Sequence, residues 1–539
     1  MQTIEREQEW KNIHKRALLN ESFVEVSLDI TDPDALADAE AEDNGAIYTS
    51  DSKELTKQVD KNISPYCTLE QNLWCLDGSR KAIPETNFKD DSYASDVLSD
   101  DTCVFSTKRP TITIEFDEVH RKLVPGVTIT WSKTYNEYAD TFEVIAYNGD
   151  TVVATKEVTG NRYVKSLIPF DIVNYKRVVV IIKKWCLPHH RARVEQIFIG
   201  LNKVYGKADL FDYSHSQSVD PVSTSLPKVE ISFSIDNVNG EYNPHNPYGL
   251  AQYLMERQEI KARYGLKMDD GSIEWIKGGT FYLSEWYAKQ NGMTADFKAR
   301  DILEFMSDIY AEGHDFSSRK LSELATKLFV AANLPLNSDG SRKWRIDSSL
   351  DNIKTNARLP EDTLANNLQL IANAAGCVLY QDRDGTIRIE PLSGGEENTD
   401  YEINAFNSYS KSEITLSKPI KQVRVKVYKY EIVAGDVVTT MSEAVHPTDA
   451  NVVGVMGETI MLDNPLVTSE CNPAKLAELL YTYLGHRMTL ESSWRPDVRL
   501  DALDIVKNVN DYNTRRVRMT DVEFKYNGAF RCTGKGKVI

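Results

Sequence analysis

Six short stretches with strand character crowd into residues 111–200, and nothing of helical periodicity separates them. TITIEF (111–116), VTITWS (127–132), TFEVIAY (141–147), TVVATKEV (151–158), RVVVIIKKW (177–185) and RVEQIFIG (193–200) are rich in β-branched and aromatic residues, and turn signals such as NGD at 148–150 stand between them. Successive side chains on a strand point to opposite faces, so each run offers one face to a core. Without helices to cross over, these strands predict an antiparallel β-sandwich or jelly roll.

The chain of 539 residues is too long for one hydrophobic core, and three or four domains are expected. FVEVSLDI (23–30) alternates as a strand, while the acidic, Ala-rich run at 32–46 reads as a loop or linker. After residue 201 the style changes. KVEISFSID (228–236), QEIKARYGL (258–266), IEWIKGGTFYLSEWYAKQ (273–290) and TADFKARD (294–301) are strands, with DDGS (269–272) as a hairpin turn and LAQYLMERQ (250–258) as a short amphipathic helix. Two helices follow: one within 317–334 with an N-terminal Ser cap, the other over 363–376 with Gly376 as its C-terminal stop. Residues 377–392 form a hairpin on a DG turn, and 403–539 return to strands around a helix at 472–488.

The expected fold class is mainly β with a helical middle segment (α+β), in several domains. The expected boundaries are an N-terminal helical segment (1–22), a first strand with an acidic linker (23–61), a jelly roll (62–200), a first β-barrel module (201–301), a helical middle segment (302–400) and a second β module (401–539).

A formal net charge of −17 repels phosphate backbones and disfavours general nucleic-acid binding; DNA fits only as cargo passing an acidic channel wall. Cys67, Cys75, Cys103, Cys186, Cys377, Cys471 and Cys532 are odd in number and lack CxxC spacing, which argues against a disulfide framework or a zinc site. Reduced thiols suit assembly in a cytoplasm. The polar N-terminus has no apolar signal core, and no run of about 18 apolar residues predicts a membrane anchor.

Catalytic candidates are weak. His189 and His190 are adjacent, so on a strand they face opposite ways and make a poor joint metal site. The acidic clusters at 90–96 and 99–101 lack the spacing of a calcium loop and read as solvated charge. DDGS and DRDG (382–385) are hairpin turns, GKGKV (534–538) lacks the phosphate-loop frame, and no G-x-S-x-G elbow occurs. No catalytic residue, metal or cofactor is expected. Trp131, Tyr135 and Tyr138 lie in WSKTYNEYAD, where exposed flat rings would stack on a hexose; the competing reading puts Trp131 in the core and the tyrosines in half-buried loop positions.

Two resemblances add to this reading. LPKVEISFSIDNVNGEYNPHNPYGLAQYLMERQEIKARYGL and WIKGGTFYLSEWYAKQNGMTADFKARD resemble the first barrel of bacteriophage tail-hub (baseplate-hub) proteins. LPEDTLANNLQLIANAAGCVLYQDRDGTIRIEPL is similar to that family's middle segment, and DALDIVKNVNDYNTRRVRMTDVEFKYNGAFRCTGKGKVI to its closing strands, so the likeness covers about 201–539. It implies a non-enzymatic virion component of a tail tip or phage-tail-like particle. Such a subunit is often trimeric, is built in the host bacterial cytoplasm, and contacts tail-tube, distal-tail and fibre proteins. Residues 62–200 resemble a discoidin (galactose-binding-like) jelly roll in TLEQNLWCLDGS, ITIEF, ADTFEVIAYNGD and RARVEQIFIG, although the cysteines do not bracket the module as in many discoidin domains. That likeness implies an outward module for protein or cell-surface glycan contact, inserted into the first barrel or appended before it. The alternatives are a carbohydrate-binding adhesin, which predicts a secretion signal, and a glycan-degrading enzyme with a discoidin accessory module, which needs a carboxylate pair in a cleft.

Overall fold

The computed structural model describes residues 7–14, 16, 19–57, 66–68, 70, 73, 74, 92–246, 249–288, 292–311, 316–334, 341–392, 401–433, 436–510 and 512–539. The protein is mainly β, in several sheets around three hydrophobic cores.

The largest sheet draws on both ends of the chain. Its strands run in the order Leu201–Tyr205, Ser22–Ile30, Glu259–Lys267, Ile273–Ala288, Thr294–Arg300, Lys228–Asp236, Leu210–Ser218, Thr514–Tyr526, Phe530–Val538, Met488–Trp494 and Glu413–Leu416. The antiparallel pairing of Leu210–Ser218 with Thr514–Tyr526, from Tyr213 opposite Tyr526 to Ser218 opposite Asp521, joins the early strands to the late ones. The sequence suggests two barrel modules. Most of their strands instead share this sheet and one core, and among the described residues the sheet does not close, while Ile420–Val433, Asp436–His446 and Glu458–Leu462 form a separate three-stranded sheet. Alternation explains the core: Val24, Val26 and Leu28, then Ile231, Phe233 and Ile235, then Val522 and Phe524, all point inward. Phe233 stacks on Phe297 across the sheet with ring centroids 5.2 Å apart. Two glycines of the last strand are required by close approach. A Cβ on Gly534 would lie 2.6 Å from Met519, and one on Gly536 only 2.3 Å from the Arg518 carbonyl oxygen.

Residues of the jelly-roll region form a sandwich. One sheet orders Glu40–Asp43, Thr111–His120, Tyr175–Trp185, Ala139–Asn148 and Thr151–Val158; the other orders Gln196–Ile199, Val124–Thr130 and Lys165–Ile172. Between them lies a core of Ile112, Ile114, Phe142, Val180, Ile182, Val127 and Ile129. The acidic run at 32–46 is no loose linker. Asp32 caps a short helix, Pro33–Asp38, by accepting from the Asp34 amide at 3.1 Å, and Glu40–Asp43 pairs with Thr111–His120. Ala35 and Ala41 face the sandwich core while Asp34, Glu40 and Glu42 face out and the buried Asp32 pairs with Lys122, so a strongly acidic sequence still supplies an apolar edge.

The sandwich leaves and rejoins the large sheet between neighbours. Ser22–Ile30 pairs with Leu201–Tyr205 up to Ile30 opposite Leu201, so everything between is an insertion at a strand-to-strand connection. The neck is braced. The Thr31 hydroxyl donates to the Ile199 carbonyl, Gln258 Nε2 donates to the Thr31 and Tyr253 carbonyls at 3.0 and 2.8 Å, and the Thr128 hydroxyl donates to the Gly200 carbonyl at 3.0 Å.

A third core joins the helices Leu321–Ala331, Leu364–Ala374 and Pro473–Gly485 to the hairpin Cys377–Gln381/Ile387–Pro391 and to Val423 and Val425. The helix over 363–376 forms as read: the Thr363 hydroxyl accepts from the Asn366 amide, and Gly376 follows at φ +65°. Two expectations fail. LAQYLMERQ forms only one 3-10 turn, Ala251–Tyr253; Leu250, Tyr253 and Leu254 match helical spacing, but the chain must be extended by Glu259 to pair with Ser22–Ile30, and Gln258 is committed to the neck. The 317–334 helix lacks its Ser cap, because Arg319–Lys320 pairs with Lys354–Thr355 and the helix begins only at Leu321.

Candidate functional site

The three aromatic candidates do not form one exposed platform. Trp131 is fully buried, packed edge-on against Phe142 at 4.9 Å and Trp185 at 6.0 Å, with its indole N–H donating to the Ser166 hydroxyl at 2.8 Å. Its ring faces are therefore closed to a sugar. Tyr135 and Tyr138 are half-buried. Tyr135 lies under the Arg193 guanidinium, 4.7 Å from its ring centre, and its hydroxyl donates to the Tyr66 carbonyl. Arg193 in turn makes a fork to Glu70, both side chains buried. Burial raises the Glu70 pKa, but Arg193 outweighs it and holds the carboxyl below its ordinary value. His190 and His189 diverge: His190 is buried with Nδ1 2.9 Å from Glu137, which also accepts from Trp185, while His189 is exposed beside Asp101. Asp100 closes a turn by accepting from Thr102 and Val104, and these bonds, the Thr102 hydroxyl's first, pull its pKa down to about 2. Asp90 and Asp91 of the other acidic cluster, Cys75, and most of TLEQNLWCLDGS lie outside the described residues. Among the described residues, no three His, Cys, Asp or Glu side chains gather as a metal site.

A cavity of about 470 Å³ opens where the large sheet meets the Cys377–Gln381/Ile387–Pro391 hairpin. The DRDG turn delivers Arg383 into it. The guanidinium is bound by both oxygens of Asp501 (2.8 and 3.0 Å) and by the carbonyls of Lys277, Val498 and Leu500. Deeper in, Gln217 bridges Asp501 and His215, and His215 Nδ1 lies 2.8 Å from the Tyr264 hydroxyl, which lies 2.8 Å from that of Tyr213. Burial, then the charge of Arg383, pushes the His215 pKa down to about 3, so the imidazole is neutral. Asp504, on the cavity wall, is pushed up to about 6 by burial and by Asp501. Each guanidinium nitrogen of Arg383 has a partner, which makes this arrangement a pin between two cores. The sequence showed the turn but gave no sign that its arginine enters the sheet.

The surface holds a feature that alternation alone could not reveal. Among the described residues, Glu413–Leu416 ends the large sheet, paired to Met488–Trp494 alone, and all four of its side chains are exposed, Ile414 and Leu416 among them. Directly after it, Ile420–Val433 and Asp436–His446 pair as a long ribbon. The ribbon's base is anchored by Val423 and Val425 and by the strand Glu458–Leu462, but beyond Tyr430 both strands are exposed, with Ile432, Val433, Val437 and Val438 open to solvent, and Met441, opposite Tyr428, is exposed as well. Apolar residues also crowd the loop at 452–457, where Val453 and Met456 are 84% and 86% exposed. Among the described residues no helix is long and apolar enough to cross a membrane.

No family model matches the chain, and no curated protein does. Among solved structures it is similar to a tail protein from Neisseria meningitidis (14% identity, 63% of this chain and 94% of that one, TM-score 0.41). It is also similar to a prophage MuSo2 tail protein from Shewanella oneidensis (11% identity, 62% and 95%, TM-score 0.41). A chain from the virion of a native gene transfer agent particle is a further likeness (11% identity, 81% and 80%, TM-score 0.29). All three are loose likenesses, with TM-scores below 0.5.

Proposed function

We propose that this chain is a non-enzymatic structural subunit of a phage tail tip or baseplate hub, or of a phage-tail-like particle. Copies would form a ring around the tail channel, a trimer or a larger ring. One observation carries this reading: the sheet built from both ends of the chain stops at an open strand with exposed Ile414 and Leu416, beside a ribbon that is apolar and solvent-exposed at its tip. Monomeric proteins blunt such edges with charge or cover them, and the ribbon, three-stranded at its base, runs on from Val425 as two strands, a unit that is only marginally stable alone in water. Association with further copies or with other tail proteins would supply the missing cover. The polar interior supports the same reading, since the Arg383 cavity is occupied by structural hydrogen bonds.

In this assembly the inserted sandwich stands outward, braced at its neck, and offers a surface to neighbouring tail proteins or host glycan. With Trp131 in the core, glycan contact would have to rest on other side chains, Tyr135 and Tyr138 included. The subunit would be made in the bacterial cytoplasm and finish in the virion, with DNA only as passing cargo. Purified full-length protein, sized by light scattering at rising concentration and imaged by electron microscopy, should give closed rings with a central opening. A monomer at every concentration, with no association with tail proteins, would overturn the proposal.

A further inference from the structure

The two exposed apolar features sit on one chain yet cannot meet within it. The ribbon strand Ile420–Val433 starts four residues after Leu416 and, at about 3.3 Å per residue, carries its tip roughly 40 Å away. Its base is fixed in the third core by Val423 and Val425, and its middle is held by Tyr428 bonded to Asp463 and Tyr430 bonded to the Pro465 carbonyl. The tip therefore cannot fold back on the edge strand that precedes it.

The tip and the edge are matched in chemistry. Among the described residues, Asp436–His446 has Ile420–Val433 on one side and no strand on the other, and Glu413–Leu416 is likewise paired on one side. Each thus presents a row of unpaired backbone groups flanked by exposed apolar side chains, Val438 and Met441 on one, Ile414 and Leu416 on the other. Residues 430–443 hold Glu431, Asp436 and Glu443 and no basic residue, whereas 411–421 hold Lys411, Lys418 and Lys421 against the single acid Glu413; Glu431, Glu443 and Lys418 pair with Lys429, Arg424 and Glu458 of the same chain, and like charges do not oppose across the contact. The opposite end of the large sheet is not available: Leu201–Tyr205 lies against the sandwich, with the Asn202 amide donating to the Thr128 hydroxyl at 3.2 Å.

We infer that the ribbon tip of one copy docks along the Glu413–Leu416 edge of a second copy, adding Asp436–His446 as the next strand of that copy's large sheet. This rests on the reading of the chain as an assembling tail subunit, and it names the surface that does the assembling. The contact joins two different surfaces, so it repeats head to tail and closes into a ring when the rotation allows.

Thiol cross-linking of full-length protein tests it. The chain carrying both Val438→Cys and Leu416→Cys, treated with a short bis-maleimide, should give a ladder of covalent oligomers above the unsubstituted chain's baseline. Either substitution alone should give none. A second pair, Val438→Glu with Met441→Glu, lies on exposed positions; it should weaken assembly by about tenfold or more while leaving the thermal midpoint of the subunit in place. Oligomers on sizing but no ladder from the double variant would overturn the inference and leave the function standing. Covalent dimers from Val438→Cys alone would show a symmetric tip-to-tip contact and also overturn it. A strict monomer would overturn both.

Discussion

Arg383 shows how a single side chain can tie two cores together. Its guanidinium makes two bonds to Asp501 and three to backbone carbonyls of the large sheet and the 498–500 loop, while its own backbone belongs to a hairpin of the helical core. Replacing it with Met keeps the bulk and strands the acceptors. The expected cost is about 3 kcal/mol, below the figure for a fully enclosed pair because the Asp501 side chain is 38% exposed. Arg383→Lys should recover only part of this, since an ammonium cannot reach four partners in a plane. Urea midpoints of the two variants against the parent measure both. A second residue gives a pH signature. Asp301, at the end of the Thr294–Arg300 strand, is buried and accepts from the Val229 amide, and burial pushes its pKa from 3.8 up to about 7. Between those values the folded chain holds a proton that the unfolded chain has lost. Stability therefore falls as pH rises from about 4 to about 7, and Asp504, pushed up to about 6, adds to the same slope. Asp301→Asn should flatten the pH dependence of the unfolding midpoint and stabilise the protein at pH 8; an unchanged slope would remove Asp301 as its source.

At the scale of elements, the insertion geometry makes a strong prediction. Ser22–Ile30 and Leu201–Tyr205 are adjacent antiparallel strands, so the whole sandwich occupies the place of a hairpin turn. Deleting residues 31–200 and joining Ile30 to Leu201 through Asn-Gly should leave a folded large sheet that still assembles, because a two-residue type I′ turn suits that register. The excised 31–200 segment should fold alone on its own core of Ile112, Phe142, Val180 and Ile129. Circular dichroism and thermal unfolding of each piece decide the matter, and failure of either to fold would show that the neck carries the stability of both. The same elements show what the sequence made legible. KVEISFSID is a strand over its full predicted length, and the DG and DDGS turns fall where read, because alternation and turn chemistry are local properties. KSLIPFDI was missed because Pro169 and the alternating exposure of Lys165–Ile172 mask a strand facing the core with Ile168 and Ile172. LAQYLMERQ was misread because the demand that overrides its helical spacing, pairing at Glu259, lies in a distant strand. Most of what sets the large sheet is nonlocal: no pattern in 210–218 announces that its neighbour is 514–526. The edge and ribbon were invisible for a related reason. An apolar residue on a strand reads as core until the structure shows that nothing covers it.

For the whole molecule, the balance between charge and apolar surface predicts how assembly responds to salt. Each copy carries −17, so bringing copies into a ring opposes like fields over distances near the Debye length, about 10 Å at 0.1 M salt. The contact surface itself is apolar: Ile414 and Leu416 at the edge, Val438 and Met441 on the ribbon. Screening should therefore relieve the long-range repulsion while leaving the apolar contact intact, and stabilising salts such as sulfate should strengthen it further. Oligomer fraction measured by sedimentation velocity should rise between 50 mM and 500 mM NaCl and rise again in ammonium sulfate. The opposite trend, dissociation as salt increases, would mean that ion pairs hold the copies together, and the lysines at 411, 418 and 421 rather than the apolar strand would then be the residues to replace.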